Sequence, residues 1–213
     1  MSVLAAAGEL RTGSVRRAGP ADISEIAAIH VQAFPKSFLS ELGPPFLKVY
    51  YRLVWSDPGG IVLVHENSGE IDGFAAGFLR PDQFYRRMKD ARWSMLGCLI
   101  GAVVKRPWLA RRIFYHVRRI MLGKRRTHPG ECELSSIGVR PDRRGRGMGK
   151  ALARKFLEAA WNGGVACVGL TTDAHENDGV NLLYQGLGFE LRECFEQYGG
   201  RMMNDYVFRR SGL

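Results

Sequence analysis

From Arg140 the chain reads Pro141, Asp142, Arg143, Arg144, Gly145, Arg146, Gly147, Met148, Gly149, Lys150. The proline stops the strand before it, and three alternating glycines open a helix. The first N–H groups of a helix have no intrahelical partner and carry the positive end of its dipole, so such a segment suits a pyrophosphate. Glycines let the backbone approach the phosphates closely. Two other phosphate-binding patterns fail on inspection. A P-loop with Gly149-Lys150 fixed would need glycine at Arg144 and Ser or Thr at Ala151. A dinucleotide fingerprint starting at Gly145 would need glycine at Lys150.

The spacing that does fit is R-x-x-G-x-G at Arg144, Gly147 and Gly149. It resembles the coenzyme A pyrophosphate motif of the GNAT superfamily of acyl-CoA-dependent N-acyltransferases. Asn177 and the run Leu182 to Phe189, with Tyr184 inside it, resemble that family's second signature. Glu133 to Val139 is similar to its central strand. The resemblance covers residues 131 to 195 most strongly. It implies an α/β fold with a mixed central sheet flanked by helices, and acetyl-CoA or another acyl-CoA as co-substrate. It also implies that the backbone of Ile137, Gly138 and Val139, the segment Arg144, Gly145, Arg146, Gly147, Met148, Gly149 and Lys150, and Asn177 hold that co-substrate. Asn177 has a second use open to it, as a helix cap.

The chemistry requires the same parts. Acyl transfer from a thioester to an amine needs a neutral amine, a polarised carbonyl and a proton for the departing thiolate. An amine with a pKa of about 10.4 costs about 4.6 kcal/mol to deprotonate at pH 7, and an α-amine near 7.8 costs about 1. Glu133 is the candidate general base, acting through water, with Glu131 as its substitute; Tyr184 is the candidate general acid. The resemblance also implies that backbone N–H groups around Ile137 to Val139 polarise the carbonyl. Ser135 and Ser136 have no His–Asp arrangement nearby, and the histidines and cysteines fall at no metal-ligating spacing. His30 lies on an apolar helix face and reads as packing.

The elements that must position these groups follow from periodicity and turn residues. Strands are expected at Ser14 to Arg16, Ile61 to His65, Ile71 to Leu79, Cys132 to Val139, Val165 to Thr171, Phe189 to Cys194 and Met203 to Phe208. Residues 66–70 join the second and third as a hairpin. Helices are expected after Asp22, after Pro45, from Gly147 to Trp161 and from Asn177 to Leu187. Residues 1–13 read as a loose tail and 14–213 as one domain.

Charge departs from this plain picture in one place. The chain of 213 residues carries a net charge of +10. Residues 80–130 hold fourteen lysines and arginines against two acidic residues, so all the excess belongs to that segment. It is expected to be a helical insertion between the third and fourth strands. Trp93, Leu96, Ile100 and Val103 recur at helical spacing, as do Leu109, Ile113, Val117 and Ile120 opposite Arg111, Arg112, Arg118 and Arg119. The basic face would be solvated, would grip an anionic acceptor, would touch an anionic membrane surface, or would form a dimer contact. No aromatic-interleaved motif supports nucleic-acid binding. The uncharged run 93–104 is too short to span a bilayer, which needs about 20 residues. With no targeting signal and four scattered cysteines read as reduced core or near-core thiols, the expected location is cytoplasmic, with the inner membrane face as a peripheral option.

Two functions fit. The first is an enzyme moving an acyl group from acetyl-CoA to a primary amine of a small-molecule or other amine-bearing acceptor. The second is an acyl-CoA-binding regulatory or interaction module without catalysis. Tyr184 together with a strand carboxylate favours the enzyme.

Overall fold

The computed structural model describes residues 13–121, 128, 130–197 and 200–210. All but the last residue of the expected tail falls outside them. Seven strands form one sheet: β1 (Ser14–Arg17), β2 (Gly60–Asn67), β3 (Glu70–Phe78), β4 (Glu131–Val139), β5 (Cys167–Asp173), β6 (Glu190–Gln197) and β7 (Arg201–Arg209). Their spatial order is β1-β2-β3-β4-β5-β7-β6, antiparallel everywhere except between β4 and β5. Every expected strand is present, with ends shifted by a few residues. The hairpin between β2 and β3 turns on Ser68 and Gly69, at φ of 52° and 83°, as a tight two-residue turn requires.

Eight α-helices accompany the strands among the described residues: α1 (Ile23–Ala33), α2 (Phe38–Leu42), α3 (Pro44–Ser56), α4 (Pro81–Asp90), α5 (Arg92–Lys105), α6 (Leu109–Met121), α7 (Met148–Asn162) and α8 (Asp178–Gln185). Alternation along the strands divides the core into two layers. Val62 and Val64 of β2 and Phe74, Ala76 and Phe78 of β3 face α1 and α3. Ile61, Leu63, Ala75, Cys132 and Leu134 face α7 through Leu152, Phe156 and Ala160. Burying one such large side chain stabilises by about 1.5–3 kcal/mol, so both layers depend on this alternation. Phe84 of α4 stacks on Phe78 with centroids 4.1 Å apart, which ties the helices following β3 to the sheet.

Three features differ from expectation. The helix α2 has no counterpart in the sequence reading, and α4, though inside the expected helical insertion, is not marked there as a separate helix. Cys194 is exposed, because β6 is the outermost strand of the sheet, while Cys132 is buried and Cys98 and Cys167 are half-buried. On α5 the apolar residues Trp93, Leu96 and Ile100 are exposed, and Met95 and Ala102 enter the core instead. On α6 Leu109 and Ile113 are buried and Arg111 is exposed, but Arg112 is half-buried and ion-paired with Glu41 of α2. The side chains of Val117, Arg118, Arg119 and Ile120 lie outside the described part.

A candidate acyl-transfer cleft

Two irregularities of β4 open the site. Its pairing with β3 shifts register between Ala76 and Gly77, which leaves Ser135 as the extra residue of a bulge. Its parallel pairing with β5 covers only Glu131 to Glu133, against Cys167 to Gly169. Beyond that point β4 stays with β3 and β5 stays with β7. The strands therefore part, and a cleft of about 1450 Å³ lies at the split.

One end of the cleft is the start of α7. Gly145 and Gly147 both take φ of +79°, a left-handed conformation that a side chain would strain. The first helical bond runs from Ala151 N–H to the carbonyl of Gly147. The N–H groups before it, through Lys150, have no partner within the helix. Arg144, Gly145, Gly147, Met148, Gly149 and Lys150 line this end. Met148 buries its side chain, so only its main chain can serve a ligand; Arg146 is exposed and does not line the cleft. Arg144 donates to the carbonyl of Ala33 at 3.2 Å, which binds the turn to the end of α1.

The middle of the cleft is walled by Ile137, Gly138 and Val139 of β4 and by Asn177 and Tyr184 from the other side. Asn177 stands at the N-cap position of α8 but does not cap it with its side chain. Its amide donates instead to Thr172 Oγ1 at 2.7 Å and to the carbonyl of Asp173 at 3.3 Å, fastening α8 to β5. Tyr184 is buried against Phe189 and Tyr206 while lining the cleft. Burial pushes its phenol well above the ordinary tyrosine range, so the hydroxyl keeps its proton.

The two candidate bases differ sharply. Glu131 is held by Arg192 in a two-pronged ion pair at 2.9 and 3.1 Å, and Arg192 also binds Asp205 at 2.9 Å. Its carboxylate lies over Gly169, where a Cβ would come within 1.6 Å of it. Glu131 is thus committed to the sheet. Glu133 is half-buried and accepts a hydrogen bond from the Tyr85 hydroxyl at 2.8 Å. Tyr85, from α4, lines the cleft, whereas Glu133 is not among its lining residues. Tyr85 is the polar neighbour that the sequence reading missed. Its partner is 48 positions away, and no local pattern marks it.

The opposite end is walled by side chains of α2 to α6, including Phe38, Leu39, Leu42, Phe46, Met88, Leu96, Leu99 and Ile113. Tyr50 hydrogen-bonds Ser135 of the bulge at 2.8 Å. His30 lies beneath, its Nδ1 2.6 Å from the Tyr51 hydroxyl, and burial lowers its pKa to about 4. Among the described residues no group of three His, Cys, Asp or Glu side chains could hold a metal ion.

Comparison with known proteins agrees with this geometry. N-alpha-acetyltransferase RimI of Mycobacterium tuberculosis (strain ATCC 25618 / H37Rv) is 39% identical over 88 residues, 40% of this chain and 52% of that protein. Mycothiol acetyltransferase of Arthrobacter sp. (strain FB24) is 36% identical over 72 residues, 34% of this chain and 22% of that one. The matched stretches thus span about half of the first relative and less of the second. Among solved structures, the ribosomal-protein-S18-alanine N-acetyltransferase of Escherichia coli superposes with a TM-score of 0.57 at 17% identity, covering 94% of this chain and 96% of that one. The ribosomal-protein-alanine N-acetyltransferase of Brucella melitensis gives 0.61 at 18% identity, covering 92% and 99%. These two show a shared fold. The profile of the Acetyltransferase (GNAT) family matches residues 23–189, most of the chain, and the protein belongs to that family.

Proposed function

We propose that the protein transfers the acetyl group of acetyl-CoA directly to a primary amine. The observation that carries this reading is the split between β4 and β5, which has the open N-terminus of α7 at one end and the protonated Tyr184 on its wall. The helix start and its left-handed glycines suit the pyrophosphate, and the separated edge of β4 suits the extended arm that ends in the thioester. In the reaction a C–N bond forms and the C–S bond breaks. Glu133 takes the proton of the attacking amine through the Tyr85 hydroxyl or an intervening water. Tyr184 gives its proton to the departing thiolate. Main-chain N–H groups of residues 137–139 stabilise the oxyanion between these events.

The acceptor best supported is an α-amino group. The relatives named for N-alpha and ribosomal-protein alanine acetylation act on such amines by their names. An α-amine also needs the least help from a base, which suits a carboxylate set behind a tyrosine. The deciding experiment follows coenzyme A release from acetyl-CoA with three acceptors: short peptides bearing a free N-terminus, the same peptides blocked, and small amines. Turnover with the free peptides and none with the blocked ones is expected. Tight acetyl-CoA binding without turnover on any amine would leave the non-catalytic module in its place.

A further inference from the structure

The helix α5 is apolar around its whole circumference. Met95 and Ala102 enter the core, with Cys98, Leu99 and Val103 half-buried beside them. The other face carries Trp93, Leu96, Ile100 and Val104, spaced at helical intervals and all exposed, with Val104 at 76%. Trp108, 69% exposed, follows in the turn into α6, and Phe114 is exposed on α6 itself. A helix hydrophobic on every side belongs inside something, and a solvated protein rarely leaves so much apolar surface together.

Charge identifies what covers it. The segment holding these residues, 80–130, carries +12, while the rest of the chain is slightly acidic. Arg106 and Arg111, both exposed, flank the apolar turn at Trp108. Two copies packed through this face would bring two strongly positive segments together. A nucleic acid would satisfy the arginines but not the aliphatic stripe. An anionic bilayer satisfies both, because basic side chains meet the headgroups while tryptophan and aliphatic residues enter the interface below them. At 14 residues α5 spans about 21 Å, short of the roughly 30 Å hydrocarbon layer, so it would lie on a membrane and not through it. No helix among the described residues is long and apolar enough to cross one.

We propose that the outer face of α5, with Trp108, Arg106 and Arg111, docks the protein on the surface of an anionic lipid bilayer. Trp93 and Leu96 also line the cleft, so the docked face borders its helical end.

Vesicle sedimentation tests this. Wild-type protein should sediment with vesicles of phosphatidylglycerol in phosphatidylcholine and stay in solution with pure phosphatidylcholine. Salt at about 0.5 M should weaken the binding, since the attraction is screened. The triple variant Ile100→Ser, Val104→Ser, Trp108→Ser should bind the anionic vesicles about tenfold more weakly or worse, while acetyl-CoA binding stays at the wild-type level. The pair Arg106→Gln, Arg111→Gln should weaken it by a smaller factor that salt does not compound. Wild-type protein that ignores the anionic vesicles, or a triple variant that sediments equally well, overturns the proposal. So does a wild-type dimer, measured by light scattering, that the triple variant converts to monomer without change in vesicle binding.

Discussion

At the α7 end of the cleft, the groups offered to a ligand are main-chain N–H bonds and two glycines in left-handed conformation. At the other end they are side chains gathered from α2 to α6. Main-chain geometry is set by a few residues in sequence, so the first end follows from one short motif. Side-chain walls depend on how five helices pack, so the second end can change its shape without disturbing the first. A family built this way keeps its acyl donor and varies its acceptor.

The strongest way to break the contrast is at Gly147. Gly147→Asp adds a side chain at φ +79° and a negative charge where phosphates are expected. Acetyl-CoA affinity should fall by about 100-fold or more, because charge and strain act together. Calorimetry reads this directly, and wild-type affinity would remove the pyrophosphate from this end.

Acid should loosen the helical end first. Burial keeps His30 neutral with a pKa of about 4, below its ordinary 6.5, so the unfolded chain binds the proton more readily. Stability is therefore full above pH 6.5 and declines as pH falls toward 4, by about 2 kcal/mol at pH 5 from this residue alone. Urea unfolding at pH 7 and pH 5 should show that loss in the wild type. His30→Gln should flatten it, and an equal pH dependence in both proteins would clear His30 of the effect.

The middle of the cleft separates chemistry from binding. Tyr184→Phe should reduce kcat by about 10- to 100-fold with acetyl-CoA affinity nearly unchanged. Because the phenol keeps its proton well past the ordinary range, no alkaline loss of wild-type activity should arise from it. Glu133→Gln should cost about tenfold at low pH and recover partly as the amine deprotonates unaided. Tyr85→Phe should reproduce part of that pH profile if the tyrosine stands between carboxylate and amine. A pH–rate profile unchanged in both variants would remove the pair from the mechanism.

The smallest effect belongs to Arg144. Its guanidinium is engaged with the Ala33 carbonyl, so Arg144→Ala should weaken acetyl-CoA binding only several-fold, within about 1 kcal/mol. A loss as large as that of Gly147→Asp would mean that the side chain, and not the helix start, supplies most of the grip.

The same contrast explains what was legible in the sequence. The strands, α7, α8 and the glycine turn follow from alternation, proline stops and glycine spacing, all local signals. Tyr85 with Glu133 and Tyr50 with Ser135 are separated by 48 and 85 positions, so nothing local joins them. The sequence ranks Glu133 before Glu131 as base, but only the position of Arg192 on β6 shows Glu131 committed to an ion pair. On α5, helical spacing reveals a face but not the side it turns to. Where every face is apolar, Trp93 and Ile100 look as suited to the core as Met95.

The early parting of β4 and β5 leaves two strand edges that, among the described residues, have no pairing partner across the gap. An extended ligand arm lying there would act as a missing strand and complete the sheet across its width. Amide hydrogens on residues 134–139 and 170–173 that point into the gap should therefore exchange rapidly in the empty protein and slow together when acetyl-CoA binds. The gap would stay bridged only while the coenzyme is bound, so each release of coenzyme A would reopen the middle of the sheet.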